Sequence, residues 1–256
     1  MNPAGCSAVV TGGGSGMGAA TVRRLVGVGA KVVVVDRERE PAGALADETG
    51  SLLREADVLD LPALEAIAAE ANALAPLRVV VHCAGRAEVP RRLVDRSGAG
   101  YDPAWWERTV SVNLTGTFNV LRATATVMAT THPVDGDGQR GVIVTIASTA
   151  GLEGAAGTAA YGASKAGVVR LSETAARDLG IHGIRVVSVA PGPVDTPLLR
   201  AAAPEARERM LATLAFPRRA ADPDEVAALV CHVVDNDYVN ATCLRLDAGF
   251  TTLFTP

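Results

Sequence analysis

The chain has 256 residues, of which 48% are hydrophobic and 20% charged, and its formal net charge is −4. This apolar content excludes a disordered chain, and the slight acidity argues against a nucleic-acid partner because no basic surplus exists to neutralise phosphates. Four scattered cysteines form no CxxC pair, and the four histidines lack metal-ligand spacing, so neither a disulfide scaffold nor a metal site is predicted.

No apolar run is long enough to span a membrane, and no signal peptide is recognisable, so we expect a cytoplasmic protein without a membrane partner. Strand and helix patterns alternate along the chain. Runs of apolar and β-branched residues predict seven strands, at 6–11, 31–36, 51–56, 78–83, 142–147, 184–190 and 242–247. Helices are predicted between them, at 17–29, 42–49, 60–75, about 103–130, 158–180 and 222–235. Asp222 is expected to cap the last of these helices, with Pro223 in its first turn.

The alternation indicates the fold class. Continuous β-branched runs such as KVVVVD at 31–36 are typical of strands buried on both faces of a parallel sheet. We therefore predict an α/β protein with one domain over residues 1–256. It is a Rossmann fold, a doubly wound parallel sheet of about seven strands with helices on both faces. A loop at 86–101 and a helical excursion at 193–217 interrupt the regular pattern.

A glycine-rich turn, TGGGSGMG, occupies residues 11–18 between the first strand and the first helix. Glycines let the backbone approach a pyrophosphate closely, and the helix N-terminus supplies N–H donors and a positive dipole end. In this context the turn predicts a dinucleotide site carried by Gly12, Gly16 and Gly18. An ordinary glycine loop is the alternative.

Acidic residues follow the second and third strands. Asp36 is placed to accept both hydroxyls of an adenine ribose and to repel a 2′-phosphate, which favours NAD over NADP. Arg37 opposes this preference, because a basic neighbour can accept that phosphate. Asp57 is placed to meet the adenine edge. The alternative for Asp36 is that it simply caps the strand, and the alternative for Asp57 is a strand-end acid facing water.

Tyr161 and Lys165 stand four residues apart on a predicted helix and therefore share one face. We expect the Lys165 ammonium and an oxidised nicotinamide to lower the Tyr161 pKa, so that the phenol works as an acid and a base. Only two of the 24 basic residues are lysines, which makes a retained Lys165 notable. Ser148 ends a strand, where its hydroxyl could bond a substrate oxygen, and Asn113 occupies a helix interior that disfavours asparagine. Local capping is the alternative for these last two residues.

Together these motifs resemble the short-chain dehydrogenase/reductase superfamily. Its signature is matched by TG…G…G at 11–18, Cys83-Ala84-Gly85, Asn113, Ser148, YxxxK at 161–165 and the Pro191-Gly192 turn. The match departs from the usual asparagine at Cys83. Further segments, including HCAG at 82–85, YGASKAG at 161–167 and LRLDAG at 244–249, resemble the subgroup of type II 3-hydroxyacyl-CoA dehydrogenases, also called 17β-hydroxysteroid dehydrogenase type 10.

The resemblance implies roles for these residues. Tyr161 would be the general acid/base, Ser148 would hold the substrate oxygen, Lys165 would bind the nicotinamide ribose, and Asn113 would support a water relay to Lys165. The implied NAD contacts, beyond the glycines, Tyr161 and Lys165, are Ser15, Met17, Asp36, Arg37, Asp57, Val58, Cys83, Ala84, Gly85, Pro191, Val194 and Thr196.

The implied activity is interconversion of a secondary alcohol and a ketone, most specifically (S)-3-hydroxyacyl-CoA and 3-oxoacyl-CoA. The resemblance also implies a homotetramer, since relatives pair through the long helices. The segments equivalent to the 86–101 insertion and to the 193–217 substrate loop differ freely among these relatives. A hydroxysteroid or other secondary-alcohol dehydrogenase is the alternative. A 3-oxoacyl-carrier-protein reductase is disfavoured by Asp36, and a catalytically silent NAD-binding interaction protein is disfavoured by the intact set of catalytic residues.

Overall fold

A computed structural model describes residues 1–87 and 90–251, and its centre is one seven-stranded parallel sheet. The strands are β1 (Ser7–Thr11), β2 (Lys31–Asp36), β3 (Leu52–Glu55), β4 (Leu77–His82), β5 (Gly141–Ile146), β6 (Ile184–Pro191) and β7 (Cys243–Leu246). Their order is β3-β2-β1-β4-β5-β6-β7, and all six strand pairs are parallel. The predicted fold class is therefore confirmed.

Nine α-helices are described around the sheet in these residues. They are α1 (Gly16–Gly27), α2 (Arg39–Thr49), α3 (Leu61–Leu74), α4 (Pro103–Val110), α5 (Gly116–Met128), α6 (Ala159–Leu179), α7 (Pro197–Arg200), α8 (Pro204–Ala212) and α9 (Pro223–Asp235). None in the described part of the chain combines the length and apolarity that a membrane crossing needs.

Strand β2 shows why the sheet is covered on both sides. Val32 and Val34 pack in the core layer that contains residues of α1, α2 and α9, whereas Val33 and Val35 pack in the layer that contains residues of α3, α5 and α6. All four side chains are buried. Because successive side chains of a strand point to opposite faces, an unbroken valine run satisfies both layers at once.

Two predicted helices differ from the structure. The helix predicted at about 103–130 is divided by a π-helical turn, Ser111–Thr115, which separates α4 from α5. The excursion at 193–217 contains only the short helices α7 and α8. The loop at 86–101 is irregular, and Glu88 and Val89 lie outside the described residues.

The helix-capping prediction at the start of α9 is confirmed. The Asp222 side chain accepts a hydrogen bond from the Asp224 N–H at 2.8 Å, and the Glu225 carboxylate accepts one from the Asp222 N–H at 2.8 Å. Pro223 occupies the first turn, where its missing N–H costs nothing. This reciprocal cap fixes where α9 begins after the 193–217 segment.

Candidate active site

The carboxyl ends of β1, β2 and β4 open into a cleft of about 450 Å³, termed the dinucleotide cleft below. Strand order reverses between β1 and β4, which is where doubly wound sheets bind ligands. Thirteen of the predicted cofactor residues line it: Gly12, Ser15, Gly16, Met17, Gly18, Asp36, Arg37, Asp57, Val58, Cys83, Ala84, Gly85 and Thr196.

The floor of the cleft requires glycine. A Cβ at Gly12 would lie 2.6 Å from the Ala84 backbone nitrogen, and a Cβ at Gly18 would lie 2.1 Å from the Gly12 carbonyl oxygen. Helix α1 begins at Gly16, so its N-terminal N–H groups and positive dipole end lie at the cleft. A bare backbone cradle at a helix N-terminus fits the pyrophosphate of a dinucleotide.

Asp36 is fixed at one end of this cleft by two backbone donors. Its Oδ2 accepts a hydrogen bond from the Gly14 N–H at 2.9 Å, and its Oδ1 accepts one from the Glu38 N–H at 3.1 Å. The neighbouring Arg37 guanidinium lies 3.4 Å from the Asp57 carboxylate. The base that could attract a 2′-phosphate is thus already paired with an acid.

Ser148 and Tyr161 meet where β5 leads into α6. Ser148 follows the strand in extended backbone, and its Oγ accepts a hydrogen bond from the Ala150 N–H at 3.2 Å. Burial raises the pKa of Tyr161 above its ordinary value, and a hydrogen bond with Ser148 opposes that shift. In the chain on its own burial thus outweighs the one favourable contact, and the lowering of the Tyr161 pKa expected beside an oxidised nicotinamide stays a prediction.

Lys165 is buried one helical turn beyond Tyr161. Its Nζ donates to the Ile146 carbonyl at 2.7 Å and lies 5.9 Å from the centre of the Tyr161 ring. Burial lowers the pKa of Lys165 to about 8. The predicted pairing of tyrosine and lysine on one helix face is confirmed, and the ammonium is held at the end of β5.

Asn113 sits in the π-helical turn, and three hydrogen bonds occupy its buried side chain. Its Nδ2 donates to the Arg86 carbonyl and to Ser164 Oγ, each at 3.0 Å, and its Oδ1 accepts from the Arg86 N–H at 2.8 Å. These bonds fix the segment after Cys83-Ala84-Gly85. A Cβ placed on Gly85 would lie 3.3 Å from Asn113 Oδ1 and 3.4 Å from Lys165 Nζ, so the cleft and the lysine are neighbours. The water relay through Asn113 stays a prediction.

The half-buried Cys83 and the buried His82, at the end of β4, are electrically neutral. Burial raises the pKa of Cys83 to about 12, which keeps its thiol protonated. Burial, followed by the Lys165 charge, lowers the pKa of His82 to about 3. His82 Nδ1 shares a hydrogen bond with Thr11 Oγ1 at 2.7 Å and thereby ties β4 to the strand that precedes the glycine turn.

Some predicted residues lie away from the cleft, and some cleft residues were missed. Four predicted cofactor contacts do not line the dinucleotide cleft: Tyr161 and Lys165 lie beside it on α6, Pro191 ends β6, and Val194 packs in the core. The lining residues that sequence reasoning missed are Gly14, Val35, Glu38, Pro41, Ala56, Arg86, Ala87, Val112, Pro197 and Leu198. Adjacency to predicted contacts is the signal that could have found most of them.

Comparisons with known proteins agree with this geometry. The family model described as short chain dehydrogenase matches residues 7–207. The 3-hydroxyacyl-CoA dehydrogenases type-2 of Rattus norvegicus and Homo sapiens are each 39% identical over 248 residues, covering 96% of this chain and 95% of the relative. The crystal structure of 3-hydroxyacyl-CoA dehydrogenase type-2 from Mycobacterium avium superposes with a TM-score of 0.93 at 40% identity, covering 98% of this chain and 97% of that one. The chain therefore belongs to the short-chain dehydrogenase family and is an oxidoreductase.

Proposed function

We propose that this protein is an NAD-dependent 3-hydroxyacyl-CoA dehydrogenase that interconverts (S)-3-hydroxyacyl-CoA and 3-oxoacyl-CoA. The observation that carries the proposal is the grouping of Ser148, Tyr161 and Lys165 beside a cleft shaped for a dinucleotide. Similarity to relatives named for this activity, along nearly the whole chain, supports the choice of substrate.

The nicotinamide, when bound, supplies or accepts the hydride. Tyr161 then exchanges a proton with the substrate oxygen. Because burial raises its pKa, the phenol is protonated at neutral pH and ready to act as the acid in ketone reduction. Ser148 donates a hydrogen bond to the same oxygen and stabilises the charge that develops there. Lys165 holds a positive charge nearby and binds the nicotinamide ribose.

The direct test is consumption of NADH with acetoacetyl-CoA, measured beside NADPH and beside a simple ketone. We expect rapid turnover of acetoacetyl-CoA with NADH and not with NADPH. Absence of thioester turnover with intact NADH binding would refute the acyl-CoA assignment and direct the search to free alcohols, ketones and steroids.

We further propose that Asp36 selects NAD. Replacing Asp36 with serine removes two charge-assisted hydrogen bonds to the ribose and is expected to weaken NADH binding about 10- to 100-fold. NADPH binding should weaken less or improve, since the repulsion of its 2′-phosphate is lost. Titration of both cofactors by fluorescence checks this, with Glu40→Gln, an exposed acid that does not line the cleft, as the neighbouring control. Equal losses for both cofactors would contradict the assignment.

The two irregular segments are proposed to surround the substrate within one catalytic domain, 1–256. In the 193–217 segment, Leu198 is half exposed and lines the dinucleotide cleft. In the 86–101 loop, the Arg91 N–H donates to the Gly157 carbonyl at 2.9 Å, which holds the loop against the segment that leads to Tyr161.

The scattered, unpaired cysteines support a reducing, cytoplasmic location.

A homotetramer is proposed to form through an exposed apolar groove of about 350 Å³ between α5 and α6. Phe118 on its rim is 51% exposed. The apolar lining includes Leu121, Ala125, Leu171 and Ala175. Phe118→Glu would bury a charge against the same face of a second copy and is expected to reduce the assembly mass measured by light scattering. Val28→Glu, on α1's C-terminal side, is the control, and an unchanged mass for Phe118→Glu would exclude this interface.

A further inference from the structure

Arg245, in the last strand, joins two parts of the chain, the segment around Glu153 and the residues that follow β7. Its Nη1 lies 2.7 Å from Glu153 Oε1, its Nε donates to the Asp247 carboxylate, and its Nη2 donates to the Phe250 carbonyl. The side chains of Glu153 and Asp247 are only 17% and 9% exposed. A guanidinium whose three nitrogens all have acceptors is held in one orientation, because its planar donors are rigidly arranged.

The first partner, Glu153, belongs to the segment that connects Ser148 to Tyr161. This segment has only a single 3-10 turn, Thr149–Gly151, before α6 begins at Ala159. Glu153 also accepts a hydrogen bond from Thr251 Oγ1 at 3.3 Å, so the same carboxylate has a second contact with the residues that follow β7. The distance between Ser148 and Tyr161 therefore depends on a segment that is tied to β7.

The other partners belong to residues 247–251, termed the post-β7 loop. The Ala248 carbonyl accepts hydrogen bonds from the N–H groups of Ala215 and Phe216, at 3.0 and 3.2 Å. A Cβ on Gly249 would lie 2.8 Å from the Ala215 Cβ, so the two backbones are in close contact. The post-β7 loop thus holds the end of the 193–217 segment.

We propose that Arg245 is a positioning residue, which fixes the Ser148–Tyr161 segment and the end of the 193–217 segment relative to each other. Arg245 itself does not touch the substrate. The inference deepens the proposed function and rests on it for the turnover measurement. A comparable pair, Arg219–Glu225 at 2.7 Å, is more exposed and spans only six residues, so it joins no separate segments.

The test compares Arg245→Met with Arg219→Met as the matched control. We expect Arg245→Met to lower kcat/KM for acetoacetyl-CoA about 10-fold, chiefly through KM, because a loosened 193–217 segment weakens substrate binding in the ground state and the transition state alike. The Kd of NADH should change less than two-fold, since the dinucleotide cleft is formed by other strands. Arg245→Lys should recover part of the loss. Arg219→Met should behave as wild type.

Two further measurements make the result decisive. In a double-mutant cycle, adding Glu153→Gln to Arg245→Met should cause no additional loss, because both changes break the same contact. Hydrogen exchange should increase in residues 149–157 and 247–251 for Arg245→Met but not for Arg219→Met. Unchanged exchange and KM, or additive losses in the cycle, would overturn the proposal.

The outcomes separate this inference from the proposed function. If wild-type protein does not turn over acetoacetyl-CoA, the proposed substrate fails, while hydrogen exchange still decides the role of Arg245. If Arg245→Met does not fold, Arg245→Lys and Glu153→Gln are measured in its place. A raised KM and faster hydrogen exchange in these variants support the proposal, and wild-type values of both overturn it.

Discussion

Replacing Tyr161 with phenylalanine is expected to reduce kcat by about 10³-fold, within the range seen when a positioned acid or base is removed. The substitution removes the only group proposed to exchange a proton with the substrate oxygen, and it leaves the ring and its packing in place. NADH binding is expected to change by less than two-fold, because Tyr161 does not line the dinucleotide cleft. Stopped-flow turnover and fluorescence titration measure the two quantities separately.

Tyr238→Phe is the control for this experiment, since Tyr238 is fully exposed and has no place in the site. Retention of activity by Tyr161→Phe, with normal NADH binding, would remove the proposed acid/base from the mechanism. A loss of both activity and NADH binding would instead show that the hydroxyl supports the fold of the site.

Replacing Lys165 with methionine is expected to inactivate the enzyme and to stabilise the fold. Activity should fall about 10²- to 10³-fold because the positive charge beside Tyr161 is lost. At pH 7 the buried ammonium disfavours folding, since burial lowers its pKa to about 8 from an unfolded value near ~10.4. The difference between the two pKa values amounts to about 3 kcal/mol, offset by about 1 kcal/mol for the lost hydrogen bond to Ile146.

The sign of the pH dependence follows from this lowered pKa. Between pH 8 and about 10.4 the unfolded chain binds the lysine proton and the native chain does not. The destabilising contribution of Lys165 therefore becomes smaller, and the wild-type free energy of unfolding rises, as the pH increases across this range. The advantage of Lys165→Met is therefore largest below pH 8 and shrinks across that window.

Urea unfolding at pH 7, 8 and 9.5 measures this effect. Lys31→Met is a matched control, because Lys31 is the other lysine of the chain and is exposed at the start of β2. An advantage of Lys165→Met that is independent of pH would contradict the assigned cause. A destabilised Lys165→Met at pH 7 would mean that the bond to Ile146 outweighs the burial of the charge.

Local sequence patterns predict the helices and strands of this chain well, but they predict the burial and the pKa of individual side chains poorly. The valine run of β2 and the cap of α9 follow from nearest-neighbour geometry, and both are found as expected. The pKa of Tyr161 depends on burial by residues distant in sequence, which spacing on one helix does not reveal. Leu198 was missed for a related reason: it reaches the cleft from α7, and no periodicity marks a four-residue helix.

The π-helical turn at 111–115 constrains how the protein can change. A π turn accommodates one residue more than an α turn, so deleting one residue there would close the turn to α geometry and leave α4 and α5 in register. Val120 and Leu121 would therefore keep their places in the core layer that contains residues of α3, α5 and α6. The same deletion would displace the buried Asn113 from the Arg86 backbone. The extra residue of this turn is therefore required by the contacts of Asn113 rather than by the packing of α5, so its loss would be felt at the site while the core is spared.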